Sequence, residues 1–234
     1  MHDGTPLSTV IAMPGRLEFS YWSDPLCIWA LVAQKKLERV LADVGEHVRV
    51  DYRIVPVFGS VPWRFAEGPW SRDGVDGRVR ATRTIAEQGG RKDVTGECWR
   101  RAMPASSWAP AAAIKAVFAI EGGRGEEAGP SYQCALRERF FVGESNIALR
   151  SVQLEVAEEL GVPSEAIERR LDDGSAIAAV CEDHAEKERL RLQGSPTYVF
   201  DGGRAMLYGN FDYGILRSTI DELVRGAGPG GSAC

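Results

Sequence analysis

Leu17-Glu18-Phe19-Ser20-Tyr21-Trp22 alternates apolar and polar side chains before Ser23-Asp24-Pro25, the pattern of a short strand that stops at a turn. From Leu26 to Val44 the period changes. Leu37, Val40, Leu41 and Val44 recur at helical spacing, and Gly45 follows where a C-terminal glycine belongs. Residues 48–55 return to alternation, with Val48, Val50, Tyr52 and Ile54 on one face and charges on the other, which predicts a half-exposed strand at a sheet edge. Together these segments form a βαβ unit. Its right-handed crossover sets the start of the first helix at the carboxyl ends of the strands, where open α/β sheets present their sites.

Residues 65–192 are helical in pattern, with breaks at Gly89-Gly90, Gly122-Gly123 and Gly129-Pro130. Helices are predicted over 107–120, 132–141, 149–160 and 176–192, with a short one opening at Pro163-Ser164. After Gly194-Ser195-Pro196 the pattern is again that of strands: 197–200, a turn at Asp201-Gly202-Gly203, then 204–208, a β-hairpin. A last helix follows, capped by Asn210 or Asp212, with Ile215, Leu216, Ile220, Leu223 and Val224 as its buried stripe. The expected organisation is an α/β core from 16–64 and 193–226, an all-helical insertion over 65–192, and flexible termini at 1–15 and 227–234.

Composition removes several classes of function. A net charge of −5 with both signs interspersed gives no basic surface for nucleic acid or an anionic membrane. No apolar run approaches the length of a membrane span, and residues 1–15 do not read as a signal peptide. Five scattered cysteines, an odd number, argue against a secreted disulfide framework and for a reducing cytoplasm. His2, His47 and His184 have no second ligand at metal-binding spacing, so no metal is expected.

The chemistry concentrates at Cys27, in the run Tyr21-Trp22-Ser23-Asp24-Pro25-Leu26-Cys27-Ile28-Trp29-Ala30. Unpaired backbone N–H groups and the positive end of the helix dipole favour a thiolate at a helix start, so Cys27 is expected to be acidic and nucleophilic. Ala30 stands where a C-x-x-C pair would carry its second cysteine. A mixed disulfide on Cys27 must then be opened by a thiol from elsewhere. Cys134 and Cys181 fall in predicted helices and are expected to pack; Cys98 and the terminal Cys234 are weaker candidates for a resolving thiol. Trp29, beside the nucleophile, can line a pocket for an apolar substrate or pack against the insertion.

These residues carry a family resemblance. The Asp24-Pro25-Leu26-Cys27-Ile28-Trp29 run, the helical insertion and Gly194-Ser195-Pro196-Thr197 leading into the hairpin resemble the DsbA-like branch of the thioredoxin superfamily, in particular the cytoplasmic FrnE-type and mycothiol-dependent oxidoreductases. The resemblance implies a thioredoxin-like core. It also implies a cis Pro196 lying against Cys27, with the backbone of Ser195 pairing with bound substrate. Glutathione or mycothiol is the implied cosubstrate, with small disulfides, protein disulfides or a second copy of the chain as partners. Ala30 departs from the usual C-P-W-C of FrnE-type proteins. It matches instead the S-P-Y-S-Y-L-A pattern of kappa-class glutathione transferases and 2-hydroxychromene-2-carboxylate isomerases, which places a serine at Cys27. Two further readings follow: a glutathione-dependent isomerase or transferase, and a redox-inactive thioredoxin-fold binding module.

Overall fold

The computed structural model describes residues 17–120 and 124–226. The readings for the two termini, for Gly122-Gly123 and for Cys234 fall outside these residues. Strand β1 (Leu17–Ser23) runs into α1 (Ile28–Val44), and β2 (Val48–Ile54) pairs parallel to β1 with Leu17 opposite Val48 and Ser23 opposite Ile54. Gly45 ends α1 at φ +55°, a conformation that L side chains rarely adopt, which is why the helix stops there. Among the described residues eight α-helices follow: α2 (Val61–Ala66), α3 (Gly74–Gln88), α4 (Cys98–Arg101), α5 (Trp108–Phe118), α6 (Arg124–Phe141), α7 (Arg150–Glu159), α8 (Ser164–Asp172) and α9 (Ser175–Arg189). The chain then returns through β3 (Thr197–Phe200), a tight turn, β4 (Ala205–Tyr208) and α10 (Tyr213–Gly226). The sheet order is β2-β1-β3-β4, with β3 antiparallel to both neighbours, so β2 is the edge strand its alternation predicts.

Two cores meet along α1. Its later turns, through Leu37, Val40 and Val44, pack with Phe19, Tyr21, Leu216 and Ile220 between the sheet and α10. Its first turns, through Ile28 and Leu31, join Trp99, Ile114, Phe140 and the rest of the helical core. Both clusters are built largely from apolar side chains, and each fully buried large side chain contributes about 1.5–3 kcal/mol. The N-terminus of α1 is therefore clamped at the seam between sheet and helices.

A buried carboxylate reinforces the junction between sheet and helices. Asp183 of α9, 1% exposed, accepts from the Ile54 backbone N–H at 2.8 Å, from Arg53 at 3.0 Å and from Lys115 of α5 at 2.9 Å. It ties three elements at the end of β2.

Four sequence expectations need correction. Ile215 is 48% exposed, because α10 lies on the sheet through Leu216 and Ile220 alone at full burial. Asp212 precedes α10, but its carboxylate is drawn to Lys36 at 2.9 Å. Gly129-Pro130 does not break a helix: α6 runs through it, held by fully buried Tyr132, Leu136 and Phe140, and a side chain at Gly129 would collide with the Phe118 ring. Cys181 is in a helix but exposed.

Breaking a buried ion pair leaves an uncompensated charge, which typically costs 3–5 kcal/mol. Asp183→Ala is accordingly expected to lower unfolding free energy by about 3–5 kcal/mol in urea titrations; a loss below about 1 kcal/mol would remove Asp183 from its role at the seam.

Candidate functional site

Cys27 is the residue immediately before α1, with extended backbone (φ −87°, ψ 113°), and its carbonyl accepts from the N–H groups of Ala30 and Leu31 at 3.1 and 3.2 Å. Directly across from it is the loop that leads into β3. The Ser195-Pro196 peptide is cis, and Cys27 Sγ donates to the carbonyl oxygen of Ser195 at 3.2 Å. Ser195 Oγ accepts from the Asp24 N–H at 2.9 Å, while the Pro196 carbonyl accepts from Gly209 N–H at 2.9 Å. Three of the residues singled out in the sequence, Cys27, Ser195 and Pro196, thus come together. Trp29, two residues along, is 38% exposed, and the exposed Tyr208 ring lies against Gly194. Ala30 is fully buried.

The expectation of an acidic Cys27 is overturned. The thiol is only 5% exposed, and burial pushes its pKa above the ordinary thiol range. The Ser195 hydroxyl and the Ala30 N–H favour the thiolate, as does Arg137, but they do not offset desolvation, and Asp24 opposes them. The observed contact adds a reason. A carbonyl oxygen accepts well from S–H and presents its negative end to S⁻. Helix-start placement is a real stabilising effect, but here it is outweighed by burial of Cys27 in the apolar cluster that also holds Leu26, Ile28 and Leu31.

Asp24 and Arg137 were not assigned roles from the sequence, yet they build the site. Asp24 is fully buried and takes three donors: Leu26 N–H at 2.6 Å, Phe58 N–H at 3.1 Å and the Ser107 hydroxyl at 2.7 Å. Its backbone carbonyl accepts from Cys27 N–H at 3.2 Å and from Arg137 Nε at 3.5 Å. The bond to Leu26 is an Asx turn, which the Asp-Pro pair signals in the sequence. Arg137, 1% exposed, also donates to Ser23 Oγ at 2.6 Å; with its carbonyl turned toward the guanidinium, Gln133 accepts from both Arg137 terminal nitrogens at 2.9 Å. No local pattern marks an arginine inside an amphipathic helix as buried.

Desolvation raises the Asp24 carboxyl from 3.8 to about 6, against the hydrogen bonds that favour its charge. The folded protein therefore binds a proton there that the unfolded chain has already lost between about pH 4 and pH 6. The resulting stabilisation is complete below the unfolded pKa and is lost as pH rises through the folded one, roughly 3 kcal/mol in all. Chemical denaturation of wild type and Asp24→Asn across pH 4 to 7 is expected to show a falling stability difference over that window. A flat difference would mean that Asp24 ionises normally.

Among the described residues no helix is long and apolar enough to cross a membrane, and no three His, Cys, Asp or Glu side chains gather as a metal centre would. Cys98, Cys134 and Cys181 are free thiols; Cys98 is buried at the start of α4, where burial pushes it up to about 12.

Comparison with known proteins agrees with this geometry. Residues 19–221 match the DSBA-like thioredoxin domain. The ClpXP adapter protein SpxH of Halalkalibacterium halodurans is 24% identical over 217 residues, which cover 89% of this chain and 68% of that protein. The cytosolic disulfide reductase DsbM from Pseudomonas aeruginosa superposes with a TM-score of 0.63 at 24% identity, over 89% of this chain and 96% of that one. A 2-hydroxychromene-2-carboxylate isomerase superposes with a TM-score of 0.64 at 18% identity, over 89% and 96%. At these identities the two structures establish a shared fold. The match over most of its length, together with a helix-start cysteine facing a cis-proline loop, places this chain in the DsbA-like thioredoxin family, whose members are thiol oxidoreductases and isomerases.

Proposed function

We propose that this protein is a monothiol thiol-disulfide oxidoreductase in which Cys27 exchanges with a disulfide and a low-molecular-weight thiol completes the cycle. The observation that carries the reading is the contact of Cys27 Sγ with the Ser195 carbonyl ahead of Pro196, with buried Ala30 in place of a second cysteine. Cys27 thiolate attacks a disulfide, forming a mixed disulfide and releasing one thiolate. A small thiolate then attacks the substrate sulfur of the mixed disulfide, restores Cys27 and leaves joined to that substrate half; a second small thiolate opens this product in a further exchange, releasing the remaining substrate thiolate and the disulfide of the small thiol. Over both exchanges two electrons pass from two small thiols to one substrate disulfide.

Burial keeps the resting sulfur protonated, so activation has to come with the substrate. A substrate N–H that pairs with the Ser195 carbonyl takes away the acceptor of the thiol proton and screens a dipole that opposes S⁻. The thiolate then forms where it is used.

Glutathione and mycothiol are the two candidate thiols, and two arginines favour glutathione, which carries carboxylates. Arg64 and Arg78 stack on one aromatic cluster, 5.1 and 4.4 Å from the Trp70 ring, with no carboxylate partner among the described residues. Arg78 Nε is buried without an acceptor, and burial pulls its pKa down to about 10, against the opposing influence of Cys27 and Asp24. Two guanidinium groups on one aromatic cluster, without a carboxylate partner among the described residues, suit an anionic cosubstrate. DsbM, a cytosolic disulfide reductase, has a structure with glutathione, and a cytoplasmic setting provides the small-thiol pool.

A second reading draws on the same buried thiol. A neutral Cys27 can donate to the thiolate of bound glutathione without exchanging its own sulfur, as an isomerase or transferase would require. Intact-mass analysis and peptide mapping after incubation with oxidised glutathione separate the two. One glutathionyl group on Cys27, absent in Cys27→Ser together with reductase activity, is the expected result; mapping is needed because Cys181, unlike Cys27, is exposed. Full activity in Cys27→Ser supports the isomerase or transferase reading. No adduct and no small-thiol binding would leave a binding module, the role that SpxH's designation as an adapter suggests.

A further inference from the structure

Two turns below Cys27, about 10 Å along α1 at 1.5 Å per residue, a cavity of about 440 Å³ opens between α1, α6 and the β1-β2 pair. It is separate from the sulfur, and nothing in the exchange reaction uses it. Its polar lining is unusual. The Tyr21 hydroxyl has no hydrogen-bond partner among the described residues although Tyr21 is 2% exposed, and Gln34 Oε1 is buried and equally unpartnered. Arg137 lines the same space as a buried cation with neutral acceptors only. On the α1 side, the exposed Glu38 accepts from Gln34 Nε2 at 2.9 Å and from the Cys134 thiol at 3.7 Å.

Leaving a buried polar group unpaired costs about 1–3 kcal/mol, so two such groups facing one cavity need a partner. The groups are also sorted. Donors, Arg137 and the Tyr21 hydroxyl, line the inner part; acceptors, Gln34 Oε1 and Glu38, are on α1. Burial pushes the Tyr21 phenol upward, so it stays a donor throughout the neutral range. A simple anion would meet Glu38, and a simple amine would meet Arg137. A ligand that carries both charges on one carbon meets neither conflict. We propose that this cavity binds the zwitterionic head group of an α-amino acid, its carboxylate on Arg137 and Tyr21 and its ammonium on Gln34 and Glu38.

The head group can arrive as a free amino acid or as the γ-glutamyl end of a peptide thiol. Arg137 gives occupancy a route to the nucleophile, since the same guanidinium holds Ser23 and the Asp24 carbonyl in the loop before Cys27.

The test is calorimetric titration of the full chain with L-glutamate and with S-methylglutathione, whose sulfur cannot exchange with Cys27, using acetate and ethylamine as half-ligand controls. At least one head-group ligand is expected to bind one to one, each half-ligand at least about tenfold more weakly. Which one binds identifies the source. Tyr21→Phe and Gln34→Leu each remove one partner without touching Arg137, and each is expected to weaken binding about tenfold or more while melting at or above the wild-type temperature. Bound ligand should slow alkylation of Cys134, which lines the cavity. No heat from either ligand with unchanged Cys134 labelling, the result for a cavity that holds only water, would overturn the proposal. So would acetate binding as tightly as the amino acids, or unaltered affinity in both folded variants.

Discussion

Asp24 is the point on which this structure turns. Its side chain holds the turn after β1 through Leu26, the segment after β2 through Phe58 and the approach to α5 through Ser107. Its main chain holds the cis-proline loop through Ser195 and the buried Arg137 of α6. Five parts of the chain meet at one residue, and Cys27 is three positions further along. Sheet and helical block could pack in several ways by apolar contact alone, which is non-directional. Hydrogen bonds to one desolvated carboxylate are directional and fix the sulfur against Ser195.

That arrangement explains how the thiol differs from the expectation of an acidic helix-start cysteine. The same network that positions Cys27 also surrounds it with buried side chains and sets a carboxylate nearby. Both effects favour S–H over S⁻. The geometry accordingly describes an oriented, covered thiol in which burial favours S–H, and in the reaction proposed above it becomes reactive when a partner occupies the Ser195 carbonyl. Such a site suits a reaction whose resolving thiol comes from solution, since a permanently ionised lone cysteine would be open to oxidation and to indiscriminate exchange.

Much of the fold could be read from the chain because its signals are local. Alternation in 17–22 and 48–55, the glycine after Val44 and the turn at 201–203 each determine a few residues of backbone, and the structure has the corresponding elements in the expected order. The meeting of Cys27, Ser195 and Pro196 was legible through the family resemblance, and the structure brings the three together. What escaped was set by distance in space. Arg137 looks like any helix-surface arginine until α6 is packed beside β1, and nothing near Asp24 in sequence says that Phe58 and Ser107 will reach it. Burial of Cys27 escaped for the same reason, since its apolar wall is completed by the helical core. Ile215 and Gly129-Pro130 misled because a periodic pattern cannot say which of several apolar residues meets the sheet, or that a neighbouring ring needs the space a glycine leaves.

The central claim is that Cys27 is a neutral, buried thiol in the free protein and becomes a thiolate when a partner engages the cis-proline loop. Direct titration of Cys27, followed by thiolate absorbance against a Cys27→Ser reference, tests it in the free protein and with a bound, non-exchanging glutathione analogue. The account predicts a pKa above the ordinary thiol value of about 8.5 in the free protein and a fall when the analogue binds. A free-protein pKa below about 7, in the range of activated helix-start cysteines, would contradict it.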